Sequence, residues 1–408
     1  FKQRTSNYTP DAKIYNIKGD FQLIGNTNMT LSSYSDNGSN NVKMKYVDID
    51  NDANTLNSSS ATLTFSTEGG ADPNCSNIIY AGLYWTGRAH DEESPNSFTV
   101  GGSTNERTNG TSFNNYTLSI SSNNNTSLGT DGTVATYTFT PQKGESSVTF
   151  RFSSWKSGAT SSSYSATVTV QTGSGTVTTL AGKITNNSSN SLIFTFDTPY
   201  CINTGSQTIH INSLRKRRSD ISVNSNYLAS VTSDAKLLNK RQVKLKKAGG
   251  TYQTITADAQ DIYYPTSSDD YMYSAYAEVT DYVKQHKTGE YFVADIALRE
   301  GEGGSAGFYG GWGLIVVYAN PLMKWRDITI FDGHAYVASN GGNKELPVSG
   351  FNTVQQGPVG VKMGLMAGEG DVSITGDQFK IRNAANTAWI NLSHGGNSTN
   401  NFFNSSIY

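Results

Sequence analysis

Ile78-Ile-Tyr-Ala-Gly-Leu-Tyr-Trp85 is an almost uninterrupted apolar run of strand length. Such a run predicts an inner β-strand that is buried on both faces. Outward from it, Ala61-Thr-Leu-Thr-Phe65 alternates apolar and polar residues, which is typical of a strand with one buried face. Gly313-Leu-Ile-Val-Val-Tyr-Ala319 is a third run, and it falls far short of the ~20 residues that span a bilayer. The core is therefore predicted to be a β-sheet, with no membrane-spanning segment.

The composition agrees with a β-rich globular protein. Aromatic residues make up 11% of the 408 residues, whereas disordered chains are poor in aromatics. Charged residues are only 16%, and the abundant Ser, Thr, Asn and Gly indicate strands joined by polar loops. The net charge of -2 provides no basic surface for a nucleic acid, so no nucleic-acid partner is expected. One short helix is predicted near Tyr276 to Gln285, ended by Gly289.

Four segments stand out together: Gly19-Asp-Phe-Gln-Leu-Ile-Gly-Asn-Thr-Asn28, Tyr46-Val-Asp-Ile-Asp-Asn-Asp52, Tyr80-Ala-Gly-Leu-Tyr-Trp85, and Gly310-Gly-Trp-Gly-Leu-Ile-Val-Val-Tyr318 with Trp325-Arg-Asp-Ile-Thr-Ile-Phe-Asp-Gly333. Together they resemble the N-terminal region of the very large cell-surface adhesins of Bacteroidetes, which are exported by the type IX secretion system and include the SprB-like gliding-motility adhesins. The resemblance implies a location outside the cell at the outer-membrane surface, a binding role and no catalytic residues. The family's C-terminal secretion signal is not evident at Tyr408, so we expect a longer parent protein.

The resemblance also predicts the domain organisation. In the family, the strand ending at Trp85 is soon followed by a segment like Lys240-Arg-Gln-Val-Lys-Leu-Lys-Lys-Ala-Gly-Gly250, but here a long stretch rich in Ser, Thr, Asn and Gly intervenes. We therefore predict an all-β chain of two or more β-sandwich (jelly-roll-like) domains, one inserted into the other. Residues 1–95 and 236–408 would form the discontinuous domain, and residues 96–235 the inserted sandwich.

An acidic loop is the candidate metal site. Its oxygen-bearing side chains recur at every second position, a pattern that can converge on a hard cation such as calcium. An EF-hand would have Gly at Ala53 and Glu at Ser59, so this loop is not one. The alternative is an Asx-rich turn whose carboxylates cap backbone amides. The candidate ligands are Asp48, Asp50, Asp52 and Asn54.

Other constellations leave alternatives open. The run His90-Asp-Glu-Glu93 could bind metal or perform acid–base chemistry, or it could be a solvated loop. The glycine-rich stretch 301–311 precedes a strand rather than a helix, which disfavours a phosphate-binding loop. Cys75 and Cys201 either pair or remain separate thiols. A cluster of tyrosines could form a binding surface or pack between sheets: Tyr263, Tyr264, Tyr271, Tyr273 and Tyr276.

These observations predict a non-catalytic adhesin domain that mediates attachment and gliding motility. Its partners would be a surface ligand or glycan and an outer-membrane carrier or accessory protein, with calcium as the one cofactor considered. The alternative is a carbohydrate-binding module of a secreted polysaccharide-processing protein. A glycoside hydrolase is a third hypothesis, and it would require two facing carboxylates.

Overall fold

The computed structural model describes residues 14–89 except 53, 96–100, 236–338, and 342–407 except 384. Between 104 and 233 it describes the backbones of the strands given below, together with residue 176. Strands make up 40% of the chain and helices 8%, so the prediction of an all-β fold is confirmed. Within the described ranges, no helix is both long and apolar enough to cross a membrane.

The chain divides into two compact units. One unit consists of residues 1–98 and 238–408, and the other of residues 99–237. From the sequence we predicted boundaries at 95/96 and 235/236. Each boundary falls within a short strand, β6 (Ser97–Val100) at the first and β19 (Lys236–Asn239) at the second.

The discontinuous unit contains a six-stranded and a four-stranded antiparallel sheet. Its strands are β1 (Ile14–Thr27), β2 (Met29–Leu31), β3 (Met44–Tyr46), β4 (Ser58–Leu63), β5 (Asn77–Arg88) and β6 (Ser97–Val100) before the second unit, and β19 (Lys236–Asn239), β20 (Gln242–Lys247), β21 (Gln253–Thr256), β22 (Ile262–Tyr263), β23 (Met272–Glu278), β24 (Gly289–Ala294), β25 (Tyr309–Ala319), β26 (Trp325–Thr329), β27 (Lys380–Arg382) and β28 (Trp389–Asn391) after it. The six-stranded sheet has the order β22-β23-β5-β25-β1-β26, and the four-stranded sheet β21-β20-β24-β4.

Two tryptophans on the inner face of the six-stranded sheet hydrogen-bond to residues outside that sheet. Trp85 and Trp312 are directly paired in the β5–β25 register and almost fully buried. The Nε1–H of Trp85 donates to the carbonyl of Lys240 at 2.8 Å, and that of Trp312 donates to Ser59 Oγ at 2.8 Å. Each indole thus combines a large buried apolar area with a satisfied polar group.

The outer face of the six-stranded sheet is apolar as well. Tyr80, Tyr84 and Tyr276 form a buried cluster there with Val317 and Ile328. Strand β5 lies between β23 and β25, so the prediction of an inner strand buried on both faces is confirmed.

The predicted helix is shorter than expected and starts later. Helix α1 spans Thr280–His286, whereas Tyr276 lies in β23 and pairs with Tyr84 of β5. Sheet pairing therefore overrides the helical pattern in the first predicted turn. At the other end, Lys287 takes the positive φ (56°) that terminates the helix, two residues before Gly289.

The second unit contains two five-stranded antiparallel sheets. Their orders are β10-β11-β17-β13-β14 and β15-β16-β12-β18-β7. The strands are β7 (Thr104–Thr108), β8 (Ser112–Phe113), β9 (Tyr116–Thr117), β10 (Ser119–Ser121), β11 (Gly132–Phe139), β12 (Glu145–Phe152), β13 (Ala166–Thr172), β14 (Val177–Leu180), β15 (Gly182–Asn187), β16 (Ser191–Phe196), β17 (Gln207–Ser213) and β18 (Tyr227–Ser233).

Candidate functional site

The acidic loop lies between β3 and β4, and protein groups already contact its carboxylates. Ser58 Oγ lies 2.9 Å from Asp48 Oδ1 and also hydrogen-bonds Asp50 Oδ1. The other oxygen of Asp50 pairs with Lys246 Nζ and accepts the hydroxyl of Tyr252 at 2.7 Å. The structure thus brings Asp48 and Asp50 together around one serine.

Asp52 and Asn54 form a separate local turn. Asp52 Oδ1 accepts the backbone N–H of Asn54 at 2.9 Å and its side-chain amide at 3.0 Å. This is the backbone-capping arrangement that was the alternative to calcium.

The electrostatics of Asp50 are those of an ion pair. Burial raises the pKa of its carboxyl, but hydrogen bonds from Lys246, Ser58 and Tyr252 outweigh burial and hold that pKa well below its usual range. A cation at this carboxylate would have to compete with the ammonium of Lys246. Among the residues with described side chains, no three His, Cys, Asp or Glu residues are grouped to hold a metal ion. The calcium site stays a prediction.

The glycine-rich stretch 301–311 folds around the guanidinium group of Arg88. Arg88 Nη1 donates to the carbonyls of Gly303 and Gly307, the latter at 2.8 Å, and Arg88 Nε donates to the carbonyl of Asp270 at 2.8 Å. The loop therefore presents carbonyl oxygens to a buried guanidinium.

The remaining sequence candidates are dispersed. The stretch 90–93 and Cys201 lie outside the described residues, and Cys75 is an exposed free thiol. The predicted tyrosine cluster is divided: Tyr273 and Tyr276 are buried in the core, Tyr263 lines a surface cleft, and Tyr264 and Tyr271 are half-buried.

That cleft is the candidate functional site, and we call it the His334 cleft. It has a volume of about 180 Å³ and is open to solvent. It forms where β22 ends, where a 3-10 helix spans Ser267–Asp269, and where the chain leaves β26. Its lining combines two aromatic rings with charged and hydroxyl groups: Tyr263, Ser268, Asp269, His334, Ala335, Tyr336 and Lys344.

Three side chains position the imidazole of His334. Its Nδ1 lies 3.0 Å from Ser274 Oγ, and its Nε2 lies 3.5 Å from Asp269 Oδ2. Its ring stacks on that of Tyr263, with centroids 4.0 Å apart and planes inclined by 16°. Asp269 is in turn held by the backbone N–H of Thr266, which donates to its Oδ1 at 2.8 Å. The site is thus pre-organised by the 3-10 helix and the edge of the six-stranded sheet.

Tyr336 also lines the cleft, where a hydrogen bond holds its side chain. Its hydroxyl donates to Asp270 Oδ2 at 2.5 Å. Burial, and then this bond to a carboxylate, raise the pKa of Tyr336 to about 12. The phenol is therefore neutral at physiological pH and presents an uncharged ring.

Ser274, His334 and Asp269 occur in the order of a hydrolytic triad. The hydrogen bond between Nδ1 and Ser274 Oγ can run in either direction, according to the tautomer of the imidazole. A nucleophile must contact the bound substrate, however, and Ser274 is not among the residues that line the cleft. It lies within β23, which is paired to β22 and β5. The geometry therefore suits orientation of His334 better than nucleophilic attack by Ser274.

The lining of the cleft suits a small, hydroxyl-rich ligand. Tyrosine rings offer apolar faces, while Lys344, Asp269 and Ser268 offer hydrogen-bond donors and acceptors. Its volume is below the ~300 Å³ at which pockets for drug-sized ligands begin, so it would hold one small unit.

Sequence reasoning singled out Tyr263 but missed His334, Tyr336 and Lys344. The available signal was that the chain has only five histidines, one of which directly follows the segment that ends at Gly333. No family model matches the chain, and no curated protein or solved structure matches it either.

Proposed function

We propose that this chain is a non-catalytic cell-surface adhesin domain that binds a surface glycan and serves attachment and gliding motility after export by type IX secretion. The His334 cleft is the observation that carries the binding role. The location and the export route rest on the resemblance to Bacteroidetes adhesins. An outer-membrane carrier or accessory protein completes the proposed set of partners.

The chemistry of the cleft supports a saccharide. A sugar ring packs its C–H face against an aromatic ring, while its hydroxyls exchange hydrogen bonds with charged side chains. Tyr336, Lys344 and Asp269 are the lining residues suited to these roles. One small site gives weak binding, which becomes strong attachment when many sites act together.

Glycan-array binding tests the site. We expect Tyr336→Ala and Lys344→Ala to lose binding to the glycans that the unaltered chain retains. Tyr34→Ala is the matched control, because Tyr34 is exposed and is not among the cleft residues. If both cleft variants bind as well as the control, the cleft is not the binding site. Released reducing sugars during incubation would argue against a non-catalytic role.

A carbohydrate-binding module of a secreted polysaccharide-processing protein is the second candidate, since the same cleft would serve it. A deletion in the native host separates the two. An adhesin mutant loses attachment and surface spreading but still grows on polysaccharides. A mutant that adheres and spreads normally but fails to degrade one glycan would instead support the module.

A further inference from the structure

A hairpin near the end of the chain holds an exposed tryptophan on a fixed support. Strands β27 and β28 pair antiparallel, and in the turn between them Asn383 Oδ1 accepts the backbone N–H of Thr387 at 2.8 Å. Beyond the last strand pair, the backbone N–H of Leu392 donates to the carbonyl of Phe379 at 2.8 Å. The ring of Phe379 packs in turn against that of Phe402, with centroids 5.2 Å apart. Hydrogen bonds and ring packing therefore fix the hairpin at both ends.

The tryptophan of this hairpin, Trp389, is oriented by a cation. It lies directly opposite Arg382 in the strand register and is 40% exposed. The guanidinium carbon of Arg382 lies 4.0 Å from the centroid of the indole ring, which is the geometry of a cation–π contact. Little side-chain freedom is then left for the indole to lose on binding. We call Trp389 and Arg382 the Trp389 platform, and both are residue types enriched where binding energy is concentrated at interfaces.

The platform is connected to the His334 cleft through two consecutive residues. Glu345 Oε1 lies 3.6 Å from Arg382 Nη2, and the preceding residue, Lys344, lines the cleft. Consecutive Cα atoms are ~3.8 Å apart. All of these residues belong to the same compact unit, and the side chains of Lys344, Glu345 and Arg382 are exposed. They therefore form a continuous polar path from the cleft to the indole ring.

We propose that the Trp389 platform is a second sugar-binding subsite, so that the ligand is an oligosaccharide of at least two units rather than a single sugar. This inference rests on the proposed binding of a glycan by the His334 cleft. One unit occupies the cleft, whose volume of about 180 Å³ suits a single small unit. A neighbouring unit stacks its C–H face on the indole of Trp389, while Arg382 and Lys344 donate hydrogen bonds to its hydroxyls.

Ligand-observed NMR titration tests the subsite with cello-, chito-, manno- and oligogalacturonate series, each from one to six units long. In a series that binds, we expect the Kd of the unaltered chain to fall once the oligomer is long enough to reach the indole. Trp389→Ala should raise the Kd of these longer members on the order of tenfold and leave that of the single unit unchanged. Trp389→Phe keeps an aromatic face and should retain most of the length dependence.

Trp325→Ala is the matched control, because Trp325 is 66% exposed, begins β26 and is not among the cleft residues. We expect it to bind every oligomer as the unaltered chain does. Trp389→Ala should keep the circular dichroism and Tm of the unaltered chain, because an exposed side chain contributes little to folding.

Tyr336→Ala separates the subsite from the proposed function. If Tyr336→Ala loses binding at every length while Trp389→Ala binds all lengths as tightly as the unaltered chain, the cleft stands and the second subsite is overturned. A Kd that does not depend on oligomer length in the unaltered chain overturns the subsite as well. If no series binds, the proposed function and the subsite are both wrong.

Discussion

Replacing Asp50 with alanine distinguishes an ion pair from a calcium ligand in the acidic loop. The substitution leaves the ammonium of Lys246 mostly buried without its carboxylate. Breaking a buried pair from one side costs about 3–5 kcal/mol. Here Lys246 keeps the rings of Tyr252 and Phe292, 4.2 and 5.1 Å from its Nζ. We therefore expect a loss of about 2–3 kcal/mol in the free energy of unfolding.

Urea denaturation at neutral pH, with added calcium or with chelator, measures this loss. In thermal unfolding, the same cost of about 2–3 kcal/mol corresponds to a fall in Tm of roughly 5–10 °C for a unit of this size. Asp52→Ala is the control, because Asp52 caps one exposed turn and should cost no more than about 1 kcal/mol.

The pH dependence follows from the lowered pKa of Asp50. Its stabilising effect is present above the ordinary aspartate pKa of 3.8 and is lost as pH falls below that value. The difference between the unaltered chain and Asp50→Ala should therefore shrink under acid. Equal stabilities of the two proteins at neutral pH would refute the ion-pair reasoning. A Tm that chelator lowers in the unaltered chain but not in Asp50→Ala would establish calcium instead.

Three further substitutions test the core, a buried acid and the contact between Met366 and the sheet. Burial, and then the charge of Asp371, raise the pKa of Glu369 to about 7, above the ordinary 4.5. Between these two pH values the folded chain keeps a proton on Glu369 that the unfolded chain releases, so the free energy of unfolding falls as the pH rises. Glu369→Gln should stabilise by about 1–2 kcal/mol at pH above 7, after allowance for partial exposure, and by little under acid, as thermal unfolding at each pH will show. Trp312→Phe removes a buried hydrogen bond to Ser59 and should cost about 2–4 kcal/mol in urea denaturation, whereas Trp325→Phe, at an exposed position, should change stability by less than about 0.5 kcal/mol. Gly313→Ala places a Cβ 2.7 Å from Met366 Sδ and should displace the Met366 side chain. We then expect faster limited proteolysis after residue 357, and unchanged cleavage would contradict the contact between Met366 and the sheet.

Periodicity located the strands because sheet burial imposes it directly. Strand β20 shows this relation: Val243 and Leu245 are buried, whereas Lys244 and Lys246, which alternate with them, are only half-buried. The helix boundary was wrong at its first turn, because the pairing of Tyr276 with Tyr84 depends on a strand far away in the sequence. Local pattern carries no information about such a partner.

The acidic loop shows a different limit. Alternating carboxylates at Asp48, Asp50 and Asp52 are compatible with a metal site, but the pattern cannot reveal that Lys246 of β20 reaches Asp50. The competing cation is nearly two hundred residues away in sequence and comes from β20, which lies in the same four-stranded sheet as β4. Whether a carboxylate is free for a cation is therefore a tertiary property, which spacing alone does not contain.

The cleft lies partly on a stretch without regular strands, which explains why sequence periodicity did not find it. Lys344 of the cleft belongs to the stretch after β26 that has no regular strand between 342 and 379. Such a stretch acquires its position from the rigid sheet beneath it, through contacts such as that between Lys362 and Asp20. Its side chains are thereby released from packing and become available for binding. The strands of the sheet can therefore be predicted from the alternation of apolar and polar residues, whereas residues proposed to bind a ligand lie on the segment that the sheet supports.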